Sequence, residues 1–161
     1  MPKSDTHTAV NPSQLMAVAL GEAEADLAIV NGDVVNVYTG EMLTRDTVLV
    51  KGDRIAYVGK NAARSIGATT EVIDATGKVL LPGLIDGHTH INFISSASEL
   101  MRYAMKGGTT AIVTECIDFA MTLGYRGVLE FLRSVRNQPI KVFVTLPAMA
   151  TSSPTARIHA F

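Results

Sequence analysis

Cysteine is almost absent from this chain. Cys116 is the single one in 161 residues, so no internal disulfide can form. A reducing compartment is expected, with the cytoplasm as the default. A surplus of charge is also missing. Fourteen Lys+Arg against fifteen Asp+Glu give a net charge of −1, which offers no basic face to nucleic acid or to an anionic membrane. No apolar run approaches the roughly 20 residues that span a bilayer. The polar start around Lys3, Ser4, Asp5, Thr6 and His7 lacks the apolar stretch of a secretory signal. What remains is 47% hydrophobic and 18% charged, ordinary for a globular protein with a core.

Punctuation along the chain divides it into three parts. Residues 1–25 read as a polar tail and a short helix, with Asn11 as N-cap, Pro12 at the first helical position, Gln14 completing a capping box and Gly21 closing it. Leu15, Met16, Ala19 and Leu20 would share its apolar face. Residues 26–81 read as short strands. Asp26 to Tyr38 is broken at Asn31-Gly32-Asp33, Thr39-Gly40-Glu41 makes a turn, and Thr47 to Val58 is broken at Lys51-Gly52-Asp53. Both breaks carry hairpin chemistry, so an antiparallel unit is expected. Glu71 to Asp74 and Lys78 to Leu81 add two more strands. From Pro82 to residue 161 the pattern alternates. Leu84 to His90 is a strand. Ser96 and Glu99 open a helix through Leu100, Met101, Ala104 and Met105. Thr109 to Thr114 is a buried strand, and Tyr125, Val128, Leu129, Leu132 and Val135 have helical spacing. Pro139 stops that helix before a strand from Ile140 to Leu146. This β-α-β-α-β order predicts parallel strands with covering helices and right-handed crossovers.

The residues with chemistry to offer cluster at Leu84-Ile85-Asp86-Gly87-His88-Thr89-His90. Side chains two apart in a strand point to the same side, so His88 and His90 project together. Two neutral imidazoles on one face can clamp zinc, iron or manganese; two polar residues at a strand end with no ligand give the same spacing. Asp86 shares their parity and could orient a histidine or bond the backbone. Cys116 could offer a thiolate, but without a second cysteine it reads as an inert core or loop residue. His7 and His159 have no spacing relation to the pair. Met101, Met105 and Met121 fit core packing, and Gly107-Gly108 precedes a strand where a phosphate loop would open a helix.

The run from Pro82 to His90 resembles the signature of the amidohydrolase superfamily, a Pro-Gly turn and an apolar strand ending in Asp-x-His-x-His. Further stretches are similar to adenine deaminases: Val18 to Gly21, Ala25 to Gly32, Val35 to Glu41, Gly108-Thr109-Thr110 and Leu146-Pro147-Ala148. The resemblance implies an α/β fold, the start of a (β/α)8 TIM-type barrel preceded by a small β-sandwich subdomain and incomplete in this chain. It implies a divalent metal (Mn, Fe or Zn) held by His88 and His90, with Asp118 or Glu115 able to approach it from the second strand and Asp86 behind the histidines. Two positions depart from the adenine deaminase pattern. Asn92 stands where a glutamate is usual, and Ile117 replaces the histidine of an Asp-Pro-His-Glu run, here Glu115-Cys116-Ile117-Asp118. These leave room for another cyclic-amide hydrolase, dihydroorotase-like or hydantoinase-like, or for a non-catalytic module that keeps the motif. The zinc nucleobase deaminases with a Pro-Cys-x-x-Cys motif are excluded by the single cysteine.

The resemblance implies hydrolytic deamination of adenine to hypoxanthine and ammonia, by metal-activated water and a carboxylate base. The expected partner is a small nucleobase or cyclic amide, with no nucleic acid and no membrane; a homo-oligomer of the intact enzyme stays open. A complete barrel takes about 250 residues, and the stretch after Pro82 holds three strands. The chain is therefore expected to be an excerpt or a truncated product, with the general base and remaining ligands beyond Phe161 and no activity alone.

Overall fold

A computed structural model describes residues 10–145; Leu146-Pro147-Ala148, His7 and His159 lie outside the described residues. The residues fall into two compact units that divide between Pro82 and Gly83.

The first unit opens with α1 (Pro12–Leu20). The Asn11 side chain accepts from the Ser13 N–H at 3.0 Å, and Gly21 closes the helix with φ 77°. Its inward residue is Val18, fully buried, while Met16 and Leu20 are exposed. Leu15 and Ala19 are partly buried beside it, so the apolar face is rotated from the expected one by about a quarter turn. Five strands follow: β1 (Leu27–Asn36), β2 (Glu41–Lys51), β3 (Arg54–Gly59), β4 (Glu71–Asp74) and β5 (Val79–Leu80). They form one sheet in the order β3-β2-β1-β4, with β5 also beside β1. The β2–β3 hairpin turns at Lys51-Gly52-Asp53 as expected. Two expectations need correction. The sheet is mixed, because β4 and β5 run parallel to β1. Asn31-Gly32 is not a hairpin turn but an irregularity inside β1, where the pairing with β2 shifts register. A Cβ on Gly32 would lie 2.7 Å from Leu80 Cδ1, so glycine is there to let β5 come close.

The second unit holds β6 (Leu84–Thr89), α2 (Ile91–Ile94), α3 (Ala97–Lys106), β7 (Thr109–Glu115), α4 (Ile117–Val135) and β8 (Lys141–Thr145). The strands are parallel in the order β6-β7-β8, as the alternating pattern predicted. Ser96 caps α3 by accepting from the Glu99 N–H. Ile91, Met101, Ile112, Cys116, Val128, Phe131, Val135 and Ile140 form the core, so α3 and α4 cover the face of the sheet that carries Ile112. The opposite face leaves Ile85 and Phe143 exposed. In α4 the buried stripe is Val128, Phe131 and Val135; Tyr125 and Leu132, expected inside, are outside. The helix is also longer than expected and is interrupted at Gly124, whose backbone (φ 59°, ψ −150°) is not helical.

Candidate metal centre

Strand pairing decides what the end of β6 presents. Asp86 pairs with Ile112 and Thr89 pairs with Thr114, so three residue steps on β6 face two on β7. This one-residue bulge breaks the parity that the sequence implied between Asp86 and His88. Thr89 takes the register of Thr114, on the side of the core. His88 and His90 therefore share the other side with Glu115, which alternates with Thr114 on β7. Asp86 Oδ1 accepts from the His88 backbone N–H at 3.1 Å, so its carboxylate bonds the backbone of the bulge.

Thr114 secures the junction from below. It is fully buried. Its hydroxyl donates to Thr89 O at 3.0 Å and accepts from the Ile91 N–H at 3.3 Å, which fixes the chain on both sides of His90. The sequence reading missed this residue, because a threonine in a β-branched run carries no signal beyond strand propensity.

His88, His90 and Glu115 each bring one donor atom to a common group, all within 4.8 Å of one another. His90 Nε2 lies 4.0 Å from Glu115 Oε2. The His88 and His90 rings meet edge to face at 5.2 Å. Two imidazoles and a carboxylate are the donor types that zinc, iron and manganese accept. Donors about 2.1 Å from one ion lie at most ~4.2 Å apart, so small side-chain rotations bring this group onto a single ion. The position, at the C-terminal ends of two adjacent parallel strands, is where barrel enzymes build their sites.

The remaining candidates lie outside this group. Asp118 falls in the first turn of α4, where the helix N-terminus favours a carboxylate. Cys116 is fully buried and its thiol faces Thr145 O at 3.8 Å. Burial, and next the Asp118 charge, hold that thiol above its ordinary pKa, so it stays protonated and makes a poor ligand. Asn92, the second residue of α2, has a side-chain nitrogen buried without a hydrogen-bond partner.

Comparison with known proteins gives the family. Residues 79–159 match the Amidohydrolase family. Adenine deaminase of Moorella thermoacetica is 42% identical over 142 residues, 88% of this chain and 24% of that protein. Adenine deaminase 3 of Rhizobium meliloti is 37% identical over the same shares. The chain thus spans about a quarter of the length of the curated relatives it matches. Among solved structures, N-acyl-D-glutamate deacylase from Bordetella bronchiseptica, complexed with zinc and a phosphonate inhibitor, superposes with a TM-score of 0.56 at 23% identity, covering 76% of this chain and 29% of that one. The likeness in fold makes the second unit the start of a (β/α)8 barrel. With a histidine pair on its first strand, a carboxylate on its second and more than half of its length matching the family, this chain belongs to the amidohydrolase family.

Proposed function

We propose that this chain is the N-terminal part of a metal-dependent hydrolase that deaminates adenine to hypoxanthine and ammonia. The observation that carries the reading is the convergence of His88, His90 and Glu115 within 4.8 Å at the end of β6 and β7; relatives named adenine deaminase supply the substrate. Neutral His88 and His90 would each offer a ring nitrogen to a divalent ion, and Glu115 would balance part of its charge. Bound there, such an ion supplies Lewis acidity and lowers the pKa of a water. Thr114 keeps the ligand-bearing backbone in place, and the Asp86 carboxylate holds the bulge that turns His88 toward Glu115. Manganese, iron and zinc all suit the donors. A cytoplasmic setting is supported by the one cysteine, which is free and buried. No helix among the described residues is long and apolar enough to cross a membrane.

The test is ammonia release from adenine by the full-length protein with manganese, iron or zinc, beside the His88→Ala variant. Metal-dependent release that falls at least a hundredfold in the variant supports the reading, and release that survives the substitution removes it. A second reading, hydrolysis of a cyclic amide, is favoured by Asn92, whose buried amide nitrogen has no partner in a position where adenine deaminases usually carry a glutamate. Dihydroorotate and hydantoin in the same assay separate the two.

A further inference from the structure

His90 is a ligand candidate whose ring nothing hydrogen-bonds among the described residues; Glu115 Oε2 lies 4.0 Å from its Nε2. A histidine that binds a metal well has its ring orientation fixed by a neighbour, most often a hydrogen-bond acceptor. Here a different device is present. His90 stands at the N-cap of α2, and three residues on, one helical turn returns Phe93 over it. The two rings lie 5.2 Å apart and only 4° from parallel. His90 also meets the His88 ring at 5.2 Å and 77°. The imidazole is therefore in contact with a stacked phenyl ring and with a second imidazole at a steep angle.

The core of the described residues does not account for Phe93. The same short helix sends Ile91 fully into the core and leaves Phe93 66% exposed. A large aromatic ring outside that core makes an ordered contact with a ligand candidate. We propose that Phe93 is a positioning residue for the metal site, which stacks on His90 and selects the ring orientation that aims its nitrogen at His88 and Glu115. This inference rests on the metal reading above. An aromatic pair of this kind changes an equilibrium by about three- to tenfold, and that is the size of effect expected on metal affinity.

The experiment compares full-length wild type with Phe93→Leu, Phe93→Tyr and His88→Ala. Thermal midpoints first establish that the variants are folded. Cobalt(II) is then titrated and followed by its visible absorption. Loss of about three- to tenfold in affinity in Phe93→Leu, with a changed spectrum and recovery in Phe93→Tyr, supports the proposal. A metal-free readout accompanies it. In protein selectively labelled at histidine, the His90 ring protons should carry a ring-current shift from Phe93 that vanishes in Phe93→Leu and persists in Phe93→Tyr. Equal cobalt affinity and unchanged His90 resonances in Phe93→Leu overturn it. So does unchanged affinity with a raised KM, which would mean that Phe93 meets the substrate instead. If His88→Ala leaves the cobalt site intact, the metal reading itself fails and takes this inference with it; the two failures are told apart by which variant is silent.

Discussion

Glu115 and Asp118 are two carboxylates three residues apart, and they differ because one ends a strand and the other begins a helix. At the end of β7 the side chain of Glu115 follows the alternation of the sheet and reaches the histidines; Asp118 has already entered the first turn of α4. Glu115→Gln should therefore lower zinc affinity by at least about tenfold, the scale on which the surroundings of a metal site matter, whereas Asp118→Asn should change it less than twofold. Competition with a chromophoric chelator measures both, and equal effects would remove Glu115 from the group. The histidine pair was legible in the sequence because strand period two needs no tertiary information. The choice between the carboxylates was not, since it depends on where β7 stops, and the parity of Asp86 was misread because a one-residue bulge leaves no mark in composition. A third carboxylate sets a pH dependence elsewhere. Asp26 accepts from Lys51 Nζ at 2.6 Å and from the Gly52 N–H at 2.7 Å, and the lysine first, then the peptide N–H, hold its pKa below the ordinary value. A carboxyl lowered on folding adds stability that is complete above its unfolded pKa, about 3.9, and that is lost as pH falls through the lower folded value. Asp26→Asn should thus lower the thermal midpoint at neutral pH by a small amount, since Asp26 is half-exposed and screened. The gap to wild type should narrow below about pH 4. A gap that widens in acid would reverse the assignment.

Elements with their own local signals were the readable ones. Asn11-Pro12 with Gly21 bounded α1, Gly52 made the β2–β3 turn, and Ser96 with Glu99 opened α3, because each acts within a few residues. Features created by another element were not readable. Gly32 looks like a turn residue and is a close-approach residue for β5. Gly124 precedes the helical spacing that begins at Tyr125 and is a break inside α4. Its φ of 59° and ψ of −150° lie where glycine is almost alone. The break lets the two helical pieces, 117–123 and 125–135, fold on each other, so that Phe119 stacks on Phe131 at 5.2 Å and buried Gly127 approaches Phe119 O closely enough to leave a Cβ only 2.6 Å. Gly124→Ala should therefore cost about 1–3 kcal/mol of stability. Most of the loss should appear in the second unit, as faster amide exchange in α4 and in β8, which α4 joins to β7. A neutral effect would mean that α4 can run straight through this position.

At the scale of the whole molecule, the sheet of the second unit has two open sides. Among the described residues, β6 and β8 each pair with β7 alone, and unpaired strand edges in a parallel sheet are ordinarily closed by further strands. The face away from α3 and α4 carries His88, His90 and Glu115 together with exposed Ile85 and Phe143. In a closed (β/α)8 barrel that face is the packed interior and the floor of the active site. Catalysis at a metal centre requires the ion, a proton-transfer base and a pocket that orients the ring and excludes water, all held in one geometry. Three donors from two strands supply the first of these, and His88 still faces solvent. Lost positioning alone accounts for about 7–11 kcal/mol of barrier in well-oriented reactions, enough to take a measurable turnover below detection. The 161-residue chain, purified alone and given manganese, iron or zinc, should therefore release no ammonia from adenine, while the full-length protein under the same conditions does. His88→Ala in the short chain is the control for contaminating activity. Metal-dependent release by the short chain that disappears in this control would show that three strands and an open face suffice, and the assignment of the exposed face to a barrel interior would then have to be given up.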